Sequence, residues 1–189
     1  MVTIFTLCAL WIEGLIMTVT YEAISSTTLG SNQASVTIGT GGTIPQTYTD
    51  LVLVVNAAIN TGNDNMRIRV GNGSVDTGSN YSYTAMTGNG TTAISARAAN
   101  ETSILTDYNG YLQTTLGNNV KVIHFQNYAN TTTFKTVLTR SSNASTGTDA
   151  MVSTWRSTSA INIMNLFISG GVSIFLAGST FSLYGIKAE

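Results

Sequence analysis

The sequence predicts an all-β protein, an antiparallel β-sandwich with about nine to ten strands. Three observations carry this. Only 9% of the 189 residues are charged, against about 25% in ordinary globular chains. Ser, Thr, Asn and Gly stand where Lys and Glu would be, and these residues suit turns and strand faces better than helix interiors. Short apolar runs recur at ten- to twenty-residue intervals, the spacing of sandwiches and barrels, and Asn/Gly clusters able to take positive φ separate them.

The first sixteen residues, MVTIFTLCALWIEGLI, stand apart as a nearly continuous apolar run broken by Glu13 and Gly14. A secretory signal would begin with basic residues and end in a small-residue cleavage site. A membrane span needs about 20 apolar residues. Met17 opens a normal alternating strand and offers an alternative start. An upstream read-through, an anchor or core segment, a signal or prosegment and a membrane span all stay open. The division is therefore an apolar segment, 1–16, that need not belong to the mature chain, and a single sandwich domain, 17–189.

From Met17 the elements follow in order. VTYEAI (19–24) opens the domain, and ASVTIG (34–39) alternates Val36 and Ile38 against Ser35 and Thr37. A turn at GTGGTIPQTYTD holds the only proline, Pro45. DLVLVVNAAI (50–59) is apolar on both faces and reads as a central strand. NMRIRVG (65–71) sets Met66, Ile68 and Val70 on one face and Arg67 and Arg69 on the other, and NYSYTAM (80–86) continues the pattern. Residues 88–119 are less regular, with room for a loop or a short helix near ISARAANETSILTDY. Strands then resume at NVKVIHFQNYA (119–129), TTFKTVLTRS (132–141), AINIMNLFISG (160–170), VSIFLAG (172–178) and TFSLYGIKA (180–188). The last of these places Phe181 and Leu183 on one face and Tyr184 and Ile186 on the other. With both faces apolar, one needs a partner beyond its own sheet: the second sheet, a loop or another subunit. These four residues are the candidate interface.

Composition bounds function. The net charge is -1 with eight basic residues, which speaks against nucleic-acid binding, since phosphate contact needs clustered Lys and Arg. Disorder would require low hydrophobicity and high net charge, and 43% of the chain is hydrophobic. A polar surface near zero charge favours association. Cys8 is the only cysteine, so neither an internal disulfide nor a thiol metal site is expected.

Little points to chemistry. His124, the only histidine, lies in VIHFQ, and no GxSxG elbow accompanies it; it reads as a packed or hydrogen-bonded strand residue. The carboxylates Glu22, Asp50, Asp64, Asp76, Glu101, Asp107 and Asp149, with Glu13 and Glu189 near the termini, are scattered rather than paired as glycoside hydrolysis requires. TGNDNMRIRVGNGSVDTG (61–78) is the best calcium candidate but lacks a recognised ligand spacing, and turn formation accounts for its acids. Six Asn-x-Ser/Thr sequons are about what this composition yields by chance. No catalytic residue, metal or cofactor is expected. Tyr81, Tyr83, Tyr108, Tyr111 and Trp155 lie near Asn- and Gly-rich turns, and Tyr108, Tyr111 and Trp155 form the candidate glycan-stacking set.

The opening TYEAISSTTL, the segment IPQTYTDLVLVV and the closing FISGG…IFLAGSTFSLYGIKA resemble virion structural proteins of tailed bacteriophages, marine and cyanobacterial ones in particular, which often end in a GSTFSLYGI-like strand. The resemblance covers about 50 residues at the two ends and none of 62–160. It implies a non-enzymatic component of the virion with a sandwich or jelly-roll fold, a homo-oligomer (a trimer among the candidates) in contact with other virion proteins. Tail fibre, baseplate appendage and capsid decoration all fit. The alternative is a carbohydrate-binding or adhesion module recognising a host surface glycan. Neither reading involves nucleic acid or membrane.

Overall fold

A computed structural model describes residues 20–187. The apolar segment 1–16 with Cys8 and Glu13, the candidate start at Met17, and Glu189 lie outside the described residues. Within them the chain forms thirteen strands and one short 3-10 turn, and no helix is long and apolar enough to cross a membrane. The strands are β1 (Tyr21–Thr28), β2 (Ser35–Ile38), β3 (Asp50–Asn56), β4 (Met66–Asn72), β5 (Ser74–Val75), β6 (Tyr81–Gly88) and β7 (Ala93–Glu101). They continue with β8 (Ile104–Leu105), β9 (Asn119–Gln126), β10 (Lys135–Asn143), β11 (Gly147–Trp155), β12 (Ile163–Ile168) and β13 (Thr180–Ile186).

An eight-stranded sheet runs β1-β13-β3-β9-β10-β11-β6-β7, and a smaller one runs β2-β12-β4-β5. Strand β8 pairs β4 at Arg67 and Ile68, while β5 pairs it at Gly71 and Asn72, so the two short strands share one edge of β4. Every ladder is antiparallel. The chain alternates between sheets over its first four strands, and pairing is nested: β1 with β13, β2 with β12, β3 with β9, β4 with β5 and β8. That is a hairpin rolled up on itself, the winding of a jelly roll. Strands β10, β11, β6 and β7 extend the large sheet beyond the roll.

The two sheets bury one core between them. Met66, Ile68, Val70, Met164, Leu166 and Ile168 from the small sheet meet Leu51, Leu53, Ile123, Phe125, Phe181 and Leu183 from the large one. Each set falls on alternate positions, as the two-residue period of a strand requires. At one end Phe175 and Phe181 meet edge to face at 5.1 Å.

Three sequence expectations are corrected. Residues 93–101 form β7 and not a short helix; as the edge strand it buries neither face, which removed the alternation that would have marked it. VSIFLAG (172–178) is not a strand. Gly170 and Gly171, at φ 75° and 69°, turn the chain in the 3-10 segment just before it, and Phe175 then enters the core through isolated bridges to Gln33 and Ile59. The strand total is thirteen, because β11 and three short or edge strands lack a readable pattern.

Beyond the roll, the inner face of the large sheet is covered by the short edge strand β8 and the segment after it, with Leu105 of β8 and Tyr108 packing on Ala85 and Met151. Polar groups hold that segment down. The Asp149 carboxylate accepts the amide N–H of Tyr108 (2.9 Å), Asn109 (3.0 Å) and Gly110 (2.7 Å) and the Ser141 hydroxyl (2.8 Å). Asn143 Nδ2 donates to the Tyr111 carbonyl and Lys121 Nζ to the Gly110 carbonyl. Burial raises the Asp149 pKa, but its hydrogen bonds, those from the Tyr108 and Gly110 amides foremost, outweigh that and hold the carboxyl below its usual range.

Candidate functional site

The outward face of the large sheet is the most unusual surface of the fold. A sandwich normally sets polar residues outside and apolar ones inside. Here two adjacent cross-strand rows on the outside are largely apolar. One runs Val52, His124, Leu138, Val152 and Thr84 across β3, β9, β10, β11 and β6. The next runs Val54, Val122, Arg140, Ala150 and Met86 across the same strands. Met86 is 66% exposed and Val152 48%. Between them a shallow groove of about 310 Å³ is lined by Met86, Val122, Leu138 and Val152, with His124 and Arg140 at its sides.

The alternation in β9 explains how this face arises. In NVKVIHFQ the inward residues are Asn119, Lys121, Ile123 and Phe125, and Val120 and Val122 face outward. The inner face at this point meets the polar clamp around Asp149, so it takes Lys121, and valines remain for the outside. Strand β10 behaves likewise, with Lys135, Val137, Thr139, Ser141 and Asn143 inward.

The electrostatics of the face are spare. His124 Nε2 lies 2.8 Å from Asp50 Oδ2, and the Asn127 amide donates to Asp50 Oδ1. No serine or threonine hydroxyl is bonded to His124 among the described residues, so this is a paired strand histidine without a nucleophile beside it. Arg140 on β10 and Arg97 on β7 make no ion pair among the described residues and give the face a basic margin.

The three aromatics of the glycan-stacking set do not form one exposed platform. Trp155 is 2% exposed, and its indole N–H donates to Asp76 Oδ2 at 2.8 Å, so no face of the ring is open to a sugar. Tyr108 and Tyr111 are half-buried on the clamped segment beside Asp149. Asp149 and Trp155 stand near opposite ends of β11, roughly 20 Å apart at strand rise. The interface set divides by face. Phe181 and Leu183 are fully buried and meet the opposite sheet, which is their partner. Tyr184 and Ile186 are half-buried on the outer side, Tyr184 continuing the Val52 row.

In the 61–78 loop Asp64 receives the Asn65 amide, and Asp76 receives the Gly78 amide, the Asn80 side chain and the Trp155 indole. Both acids are engaged as turn and latch groups, and no set of three His, Cys, Asp or Glu residues is placed to hold a metal among the described residues. Arg67 pairs with Glu101 at 2.7 Å, and Arg69 lies 4.6 Å over the Phe167 ring. Sequence reasoning missed the buried pair Lys121 and Asp107, whose Nζ and Oδ2 are 2.6 Å apart with both side chains fully enclosed. Its one trace in the sequence was Lys121 sharing the alternate register of Ile123 and Phe125 on β9. Comparison with family models, curated proteins and solved structures finds no match in any of the three.

Proposed function

We propose that this chain is a non-enzymatic structural component of a virus particle, acting through assembly with copies of itself and with neighbouring virion proteins. The observation that supports this reading most is the apolar outer face of the large sheet. Adjacent outward side chains such as Val122, Leu138 and Val152 suit a protein–protein contact better than a solvated surface. Few charges across the chain fit the same reading, because an ion buried at an interface without a partner is costly. The likeness of both ends of the chain to tailed-phage virion proteins supplies the setting. Tail fibre, baseplate appendage and capsid decoration remain equal under it.

The test is light scattering behind a sizing column. The full chain is expected as a discrete oligomer, and Val152→Glu, which sets a carboxylate in the centre of the face, is expected to reduce it to smaller species while its circular dichroism keeps the β spectrum. A monomeric wild-type chain, or an oligomer indifferent to Val152→Glu, overturns assembly through this face. For the carbohydrate-binding alternative, Trp155 is enclosed and does not join Tyr108 and Tyr111 in one exposed aromatic platform among the described residues.

A further inference from the structure

We propose that Lys121 and Asp107 form an intramolecular isopeptide bond that ties the two sheets together. The inference stands on the geometry of this pair and holds whatever the protein assembles with. Lys121 lies on β9 of the large sheet. Asp107 follows β8, which pairs β4 of the small sheet. Their side chains are fully enclosed, and Nζ lies 2.6 Å from Oδ2. A contact of that length sets Nζ roughly 3–3.5 Å from the carboxyl carbon, the separation of a reactant poised for attack.

The surroundings suit acyl transfer better than they suit a resting ion pair. Asn65 Nδ2 donates to Asp107 Oδ1 at 2.5 Å, where an oxyanion would develop, and the Met66 amide donates to Oδ2 at 3.1 Å. Lys121 Nζ is aimed by a second hydrogen bond to the Gly110 carbonyl at 2.7 Å, and Gly110 is itself fixed through its amide to Asp149. Gly110 has to be glycine here, since a Cβ would stand 2.7 Å from Ser141 Oγ and 3.0 Å from Asp149 Oδ2. Burial favours the neutral acid at Asp107 and raises its pKa. Lys135, also enclosed, provides the contrast: its ammonium donates to the Thr133 and Thr158 carbonyls, and it makes no ion pair with a carboxylate among the described residues.

The step balances within the pair. One proton passes from the Nζ ammonium to Oδ2, leaving a free amine and a carboxylic acid. The amine lone pair adds to the carboxyl carbon, and negative charge gathers on Oδ1 against Asn65. A second proton then moves from Nζ to Oδ2, which departs as water while Oδ1 returns to a carbonyl. The Thr106 hydroxyl, 3.3 Å from Oδ2, is placed to relay that proton. The product is one amide and one water, with no oxidant, metal or outside reagent. Two desolvated charges are replaced by a neutral linkage, which a dry interior favours.

Mass spectrometry of the purified full chain tests this. The intact mass is expected about 18 Da below that of the sequence, one water lost. Trypsin does not cut after an acylated lysine, so digestion is expected to yield a fragment from Ala98 to Lys135, light by the same amount. Lys121→Met is expected at the full mass of its own sequence. Asn65→Leu, which keeps the pair and removes the oxyanion donor, is expected to leave a fraction of chains uncoupled. A full-mass wild-type chain, an unmodified fragment ending at Lys121, or a deficit confined to a peptide without Lys121 overturns the proposal.

Discussion

Replacing Asp149 by alanine would remove the group on which the segment over the extended half of the large sheet depends. The residue is 5% exposed, and its two oxygens accept three consecutive amides, Tyr108, Asn109 and Gly110, together with the Ser141 hydroxyl. A hydrogen bond to a charged group contributes about 1.5–3 kcal/mol, and a buried donor left without a partner costs about 1–3 kcal/mol. Four such donors do not add in full. Alanine leaves space for a water that rescues some of them, and loss of a buried charge recovers its desolvation. The net expectation is about 3–5 kcal/mol, the usual result of removing one partner from a buried charged contact. Domains are stable by about 5–15 kcal/mol, so the change is large. With a urea m-value of about 1–3 kcal/mol/M, the midpoint should fall by roughly 1–5 M. Hydrogen exchange supplies the local readout: the amides of 108–110 should lose protection first. Asp149→Asn keeps one acceptor oxygen and should fall between. A loss under about 1 kcal/mol with unchanged protection at 108–110 would refute the view that this carboxylate holds the segment down.

Other outcomes follow from the same contacts. Asp76 is also held below the usual carboxylate range: burial pushes it up, but the Trp155 indole, Asn80 and the Gly78 amide more than offset that. Both Asp76 and Asp149 are therefore more acidic folded than unfolded. Their contribution is complete above the unfolded value of about 4 and is lost as pH falls through and below it. Urea midpoints should drop between pH 6 and pH 3, and Asp149→Ala should flatten that fall. Gly185→Ala would drive a Cβ to within 2.3–2.5 Å of the Tyr48 ring, and a Tm scan should register overpacking of about 1–3 kcal/mol. Trp155→Phe keeps the packed ring and removes the N–H to Asp76, at about 1–3 kcal/mol in the same scan.

The elements legible in both position and orientation are those whose inner face is apolar throughout. Strand β4 declared itself through Met66, Ile68 and Val70, and β13 through Phe181 and Leu183. Where the inner face meets polar cover, the pattern disappears in one strand and misleads in another. Strand β11 turns Asp149, Met151, Ser153 and Trp155 inward, a mixed set with no hydrophobic period. In β9 the usual sign is reversed, with Lys121 inward and Val122 outward, so alternation revealed the strand but not which side was the core. Trp155 was misjudged for a related reason. A tryptophan near turns looks accessible until the distant Asp76 that receives its N–H is known, and that contact joins residues 79 apart in the sequence. The Lys121–Asp107 pair depends on the same kind of information, since proximity across two sheets is a property of the winding.

The position of β13 bears on how the protein is made. It lies inside the large sheet, hydrogen-bonded to β1 on one side and β3 on the other. Until residues 180–186 have left the ribosome, β1 and β3 have no bridge between them, and the Leu51–Val55 edge stands open with its apolar side chains. Pairing over more than 150 residues closes slowly, and an unpaired edge of this kind is a target for chance strand association. The nascent chain thus carries an open, apolar-flanked edge from the moment β3 emerges until β13 arrives and seals it.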